Sequence, residues 1–309
     1  MKNQILNKYL DIPFIFGGAA LSGESGGYGF GKLEQKESQE ILEFAFEHNL
    51  RAFDTAPIYG FGESEKRLGV FIKDKRDDCF LISKGGVTWH NSKRVNMTNE
   101  PKILEQMIHD SLKRLNSDYI DLYMVHWPDE KVDIRKSIEV LAKAKEKGKI
   151  KHIGLCNTNL DEIKKANEIE KIEFIQSELN YFNQEPYNRL IEYIQNEDVV
   201  FMSWGTLDKG ILTKRAHKLR KYDPCDARSW APWWKKMDKD SKYERVEELE
   251  IKLQEYGMSL LEFALHFNLS FEYLDYVLCG PKKVSQLKEI IMAIKKDIPK
   301  EVIEQIYEL

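Results

Sequence analysis

Residues 119-YIDLYMVHWPDEKVDIRKSIEVLAKAKEKGKIKHIGL-155 carry one complete structural unit. YIDLYMV (119–125) is a short apolar run rich in aromatic and branched residues, the pattern of a buried strand. RKSIEVLAKAKEKG (135–148) reads as an amphipathic helix, and KIKHIGL (149–155) is a second strand-like run. Strand, helix and strand in that order make a parallel pair joined by a crossover helix.

The same alternation recurs in both directions from this unit. Upstream, FIFGG (14–18) precedes SQEILEFAFEHN (38–49), RAFD (51–54) precedes SEKRLGVFIK (64–73), and CFLIS (79–83) precedes PKILEQMIHDSLKRL (101–115). In the last of these helices Ile103, Met107, Ile108 and Leu112 fall on one face. Downstream, LDEIKKANEI (160–169) follows KIKHIGL, EFIQS (173–177) precedes YNRLIEYIQN (187–196), DVVFMS (198–203) is the seventh run, and YVLCG (276–280) precedes SQLKEIIMAIKK (285–296). Eight strand–helix units in this length predict an α/β fold, a (β/α)8 TIM barrel spanning 1–309 as a single domain. A doubly wound open sheet is the rival. GGYGFG (26–31) has the wrong spacing for its dinucleotide fingerprint and no helix follows directly, and no G-x-x-x-x-G-K-S/T is present. Three connections, 19–34, 85–100 and 205–242, are longer than a compact barrel needs. Each follows a strand, so the long loops belong at the C-terminal face.

The totals narrow the class. With 47 basic and 51 acidic residues the net charge is −4, so no bulk field favours nucleic acid or an anionic membrane, and neither is expected as a partner. No apolar run reaches the ~18 residues of a membrane span. The first residues, MKNQILNKYLDIPFIFGG, show no secretory pattern, and Cys79, Cys156, Cys225 and Cys279 form no C-x-x-C pair. A cytoplasmic protein with reduced thiols is expected. Oligomeric state is not readable.

In a parallel barrel the residues at the C-terminal strand ends converge on one mouth. Here they are Asp54, Lys84, His126, Gln176 and Trp204, with Tyr59 in the loop after Asp54. A free tyrosine has a pKa of ~10 and is a poor acid near neutrality. A lysine beside it favours the phenolate, an aspartate keeps that lysine charged, and a histidine can hold a substrate oxygen. The set suits proton donation to a carbonyl oxygen while a nicotinamide or flavin delivers hydride to the carbon.

FDTAPIYGFGESEKRLG (53–69) resembles the signature of the aldo-keto reductases. SDYIDLYMVHWPD (117–129) is similar to that family's histidine-bearing strand, and EKGKIKHIGLCNTN (146–159) to its fifth-strand signature. The resemblance implies a catalytic tetrad of Asp54, Tyr59, Lys84 and His126, with Tyr59 the proton donor, Lys84 and Asp54 tuning it and His126 orienting the carbonyl. It implies a nicotinamide cofactor held by Cys156, Asn157 and Gln176 at its carboxamide, with Trp204 beneath the ring. Gly205, Leu207, Lys209 and Gly210 would take the pyrophosphate, and Lys282, Gln286 and Glu289 the adenosine end. The basic residue Lys282 favours NADPH, with NADH possible. The substrate would be a small-molecule carbonyl, among the candidate walls Tyr28, Trp89, His90, Trp127, Trp230 and Trp233. Cys156 stands where serine is usual, Thr206 where proline is common, and Ile290 where asparagine usually follows the glutamate. Two rivals share the fold. One is a cofactor-binding regulatory subunit with little turnover, which an intact tetrad disfavours. The other is a metal enzyme built on Asp54 and His126, for which the strand ends supply too few ligands; no metal is expected.

Overall fold

The computed structural model describes residues 5–308. Eight parallel strands close into a barrel: β1 (Phe14–Gly17), β2 (Ala52–Asp54), β3 (Phe80–Gly85), β4 (Ile120–Val125), β5 (Ile150–Cys156), β6 (Phe174–Glu178), β7 (Val200–Trp204) and β8 (Tyr276–Cys279). Closure pairs Phe14 of β1 with Val277 of β8. All eight predicted runs are strands, within one or two residues at their ends.

Helices α1 (Gln35–Glu47), α2 (Glu63–Phe71), α3 (Pro101–Leu115), α4 (Ile134–Glu146) and α5 (Leu160–Asn167) follow the first five strands. Their ends are written in the sequence. Pro101 opens α3, where a missing N–H costs nothing, and Asn116 closes it at φ +50°. Asn159 and Glu162 cap α5 reciprocally through side chain and backbone. Each helix lays an apolar stripe on the barrel, such as Leu104, Met107, Ile108 and Leu115 of α3.

The departures lie mostly in the last third. The helix predicted over 187–196 is broken into α6 (Glu185–Asn188) and α7 (Ile191–Asn196), with Leu190, 1% exposed, buried at the break. Segment 205–242 is not one long loop: it contains a 3-10 stretch, Asp208–Thr213, and two helical turns, Ala227–Trp230 and Pro232–Lys236. Two unpredicted helices then precede β8, α8 (Lys239–Glu255) and α9 (Leu260–Leu269). α8 buries only Val246, Leu249 and Leu253, too thin a stripe to stand out among its charges. The last predicted helix is α10 (Val284–Lys295), and α11 (Lys300–Glu308) adds Ile303 and Ile306 to a second apolar cluster under α8 and α9. Segment 85–100 holds a small antiparallel hairpin, Val87–Trp89 against Val95–Met97.

The ESEK start of α2 has a structural purpose. Glu65 is wholly buried, accepting from the Ser83 hydroxyl of β3 at 2.7 Å and from Arg114 Nε of α3 at 2.6 Å. One carboxylate therefore ties two helices to a strand just below the mouth. Removing one partner of such a pair leaves an uncompensated buried charge, so Glu65→Ala should lower unfolding stability by about 3–5 kcal/mol. Urea denaturation checks this, and a loss below about 0.5 kcal/mol, typical of surface sites, would contradict it.

Candidate active site

Asp54 ends β2 and Lys84 lies near the end of β3, the neighbouring strand, so both side chains reach the same side of the mouth. Lys84 Nζ donates to Asp54 Oδ1 at 2.6 Å, to Oδ2 at 2.7 Å and to the Thr55 carbonyl at 3.1 Å. All three ammonium protons thus have an acceptor, and the pair is cut off from water, at 0% and 3% exposure. Burial alone would strip the charge from Lys84, but the Asp54 carboxylate and the Tyr59 phenol outweigh it and raise the pKa.

Tyr59, half-buried, faces this cation, with Lys84 Nζ 5.4 Å from its ring centroid. Burial pushes the phenol up to about 12, with Lys84 pulling it back and Asp54 adding to the rise. The net direction corrects the sequence-based expectation of a lowered phenol: the lysine does lower it, but desolvation is larger. His126 follows β4 and meets Tyr59 edge-on, ring centroids 5.8 Å apart. Burial, then the Lys84 cation, hold its imidazole well below the usual range, so it is neutral near pH 7.

A second group lies beside the first. Cys156 of β5 is in register with Gln176 of β6. Gln176 Nε2 donates to Asp54 Oδ2 at 2.9 Å, and its Oε1 accepts from the Cys156 thiol at 3.4 Å. Asn157, left-handed at φ +56°, donates to Cys156 Sγ at 3.1 Å and to the His126 carbonyl at 3.0 Å, and accepts from Trp204 Nε1 at 2.9 Å. Both amide protons of Asn157 are then committed, which leaves a free lone pair on Oδ1 beside a partly open indole. An amide NH2 on a flat ring suits that vacancy, as a nicotinamide carboxamide has.

After Trp204 the chain turns through left-handed positions at Gly205, Asp208, Lys209 and Gly210. Lys209 pairs with Glu178 and with Asp208, and Lys242 of α8 reaches the other oxygen of Asp208 at 2.6 Å. Leu207 packs on both apolar clusters. The positive φ values explain the glycines here; the buried acid at Asp208 was not foreseen. Lys282 Nζ donates to the Phe30 carbonyl at 2.8 Å, and Gln286 accepts from the Lys282 backbone N–H at 2.7 Å. Glu289 pairs with Arg215 at 2.6 Å beside a cavity of about 230 Å³ that Lys214 and Ser259 also line. The sequence reading did not anticipate that Arg215, two residues past the 3-10 stretch, pairs with Glu289.

Among the aromatic walls, Tyr28 and Trp89 pack with Tyr59 around Ile58 and Val87. Trp230 lies 5.6 Å from Tyr28, Phe61 (unremarked in the sequence) 5.3 Å from Trp89, and Trp127 6.4 Å from Trp204. The loop after β1 reaches Tyr59 by a bridge at Gly27, where a Cβ would stand 2.4 Å from the Ile58 carbonyl, so only glycine fits. Two candidates fall away from this group. Trp233 packs on the second apolar cluster, and His90 is exposed in the hairpin turn. Ile290 is a core residue at 3% exposure, and Thr206 donates to the Leu278 carbonyl, tying β7 to β8. Among the described residues no three His, Cys, Asp or Glu side chains converge as a metal-binding group.

Known proteins resemble this chain in sequence and in fold. The profile described as Aldo/keto reductase family matches residues 13–309. The aldo-keto reductase YhdN of Bacillus subtilis is 31% identical over 268 residues, covering 86% of this chain and 81% of that protein. The NADH-specific methylglyoxal reductase of Escherichia coli is 25% identical, covering 85% and 84%. The solved glycerol dehydrogenase AKR11B4 from Gluconobacter oxydans superposes with a TM-score of 0.81 over 96% of this chain and 93% of that one, at 24% identity, a likeness that shows the fold. A closed parallel barrel, a family profile over nearly its whole length and a relative above 30% identity lead to one conclusion: the chain is an oxidoreductase of the aldo/keto reductase family.

Proposed function

We propose that this protein reduces a small aldehyde or ketone to the alcohol with NADPH, Tyr59 giving the proton. The observation that carries the reading is the buried Lys84–Asp54 pair facing Tyr59. A phenol raised to about 12 is fully protonated at neutral pH, so it is loaded as a donor. Once the proton leaves, the fixed Lys84 cation stabilises the phenolate in a site of low dielectric. Asp54 keeps Lys84 charged throughout. Neutral His126 can donate its ring N–H to the carbonyl oxygen without competing as an acid.

A bound nicotinamide would supply the hydride. Asn157 and Trp204 would meet its carboxamide and ring, with Gln176 and Cys156 supporting them from beneath. The turn Gly205–Gly210 would take the pyrophosphate, and Lys282, Gln286, Glu289 and Arg215 the adenosine end. Lys282, which donates to the Phe30 carbonyl, would favour a ligand carrying an extra phosphate, hence NADPH over NADH, whereas Lys214 and Arg215 are already paired with Glu250 and Glu289. The E. coli relative is NADH-specific by name, so the preference is a property to be measured on this chain. Tyr28, Trp89, Trp127 and Trp230 would offer apolar surface that suits small uncharged carbonyls, in keeping with a methylglyoxal reductase among the relatives. The thiols and the absence of any helix long and apolar enough to cross a membrane, among the described residues, fit a cytoplasmic location.

Titration with NADPH and NADH, followed by tryptophan fluorescence, tests the reading. Quenching at much lower NADPH than NADH concentration is expected; no response to either overturns it. Tyr59→Phe should keep NADPH affinity and lose reduction by roughly 10²–10⁴-fold, whereas retained turnover would remove Tyr59 from its role. His126 should show no NMR titration between pH 8 and pH 6, because its pKa is depressed when folded. It takes up a proton on unfolding below about pH 6.5, so its contribution to stability falls as pH drops through that window. A midpoint near 6.5 in the folded protein would contradict the burial.

A further inference from the structure

Four hydrogen bonds run in one direction across the floor of the mouth. Trp204 Nε1 donates to Asn157 Oδ1 (2.9 Å), Asn157 Nδ2 to Cys156 Sγ (3.1 Å), the Cys156 thiol to Gln176 Oε1 (3.4 Å), and Gln176 Nε2 to Asp54 Oδ2 (2.9 Å). The chain ends on the carboxylate that Lys84 grips from the other side. We propose that Cys156 and Gln176 are positioning residues that couple the amide and indole meant for the cofactor to the Asp54–Lys84 pair. The inference rests on the reductase reading above.

The direction of the bonds is what makes the bridge effective. An amide that donates its N–H to an anion becomes a better acceptor at its own carbonyl, so each link polarises the next. The charge on Asp54 is thereby felt at Cys156, then at Asn157, whose Oδ1 has the free lone pair. Cys156 and Gln176 are 1% and 2% exposed, so they act from beneath the mouth and each depends on its neighbour for partners. Burial lifts the thiol to about 12, so the S–H that Gln176 accepts stays in place across the working pH range. By linkage, whatever Asp54 does to the grip on the cofactor, the bound cofactor does to Asp54 and so to the setting of Lys84.

Calorimetric titration with NADPH tests this on five proteins: the unaltered chain, Cys156→Ala, Cys156→Ser, Asp54→Asn and Cys156→Ala combined with Asp54→Asn, each variant compared with its own parent. Cys156→Ala should weaken NADPH by roughly three- to tenfold, one lost hydrogen-bond link. Cys156→Ser, which restores a donor and an acceptor, should bind as tightly as the unaltered chain or tighter. In the Asp54→Asn background the penalty of Cys156→Ala should shrink to below about twofold, since the charge that polarises the chain is gone. Thermal melting on the same samples separates loss of fold from loss of coupling. Equal affinities for the Ala and unaltered proteins, a serine variant as weak as alanine, or an undiminished penalty beside Asp54→Asn would each overturn the bridge while leaving the reductase reading intact. No NADPH binding by the unaltered chain would overturn both.

Discussion

Lys84 and Asp54 face each other at 2.6 Å on adjacent strands, out of contact with water, and the rest of the mouth is arranged around them. A lone buried ammonium or carboxylate would give up its charge. Each therefore depends on the other, and the remaining lone pairs and protons need partners as well. Thr55 supplies a carbonyl to Lys84, and Gln176 supplies an N–H to Asp54. A buried pair of this kind is weak evidence of a contribution to stability, because desolvation offsets much of the attraction. Its value here is positional: it fixes one positive charge beside the Tyr59 phenol.

Much of this could be read from the residues alone. Eight apolar runs with helices between them specified the barrel, because both faces of a parallel strand are covered and the run is continuous. The strand ends then named Asp54, Lys84 and His126 without any knowledge of their contacts, since barrel geometry brings those ends together. Other features needed the fold. The net rise of the Tyr59 phenol depends on how deeply it is enclosed, which no spacing conveys. Glu65 looked like one more charge in a helix start, and only packing shows it bracing Ser83 and Arg114.

The last third was the least legible part, for a physical reason. α8 buries only three apolar residues spread along seventeen, so its signal is diluted by surface charge. α9 has the opposite problem, being apolar on most sides, which hides its period. The cofactor positions there followed from family likeness more than from chemistry. The structure shows the Arg215–Glu289 and Asp208–Lys242 ion pairs, which join residues far apart in the sequence. The aromatic wall shows the same limit: Trp230 sits on Tyr28 while Trp233, three residues later, packs elsewhere.

The most direct test of the central claim is Lys84→Met, a substitution of similar length that removes the charge together with the three N–H donors to Asp54 and Thr55. NADPH affinity and the rate of carbonyl reduction at saturating NADPH should be measured on one preparation that is shown to be folded. The account requires affinity within a few-fold of the unaltered protein and a rate lower by roughly 10²-fold or more, the size of effect of a lost electrostatic stabiliser. A rate within a few-fold of the unaltered protein, with affinity unchanged, would mean that the buried cation does not set the proton chemistry and that the account is wrong at its centre.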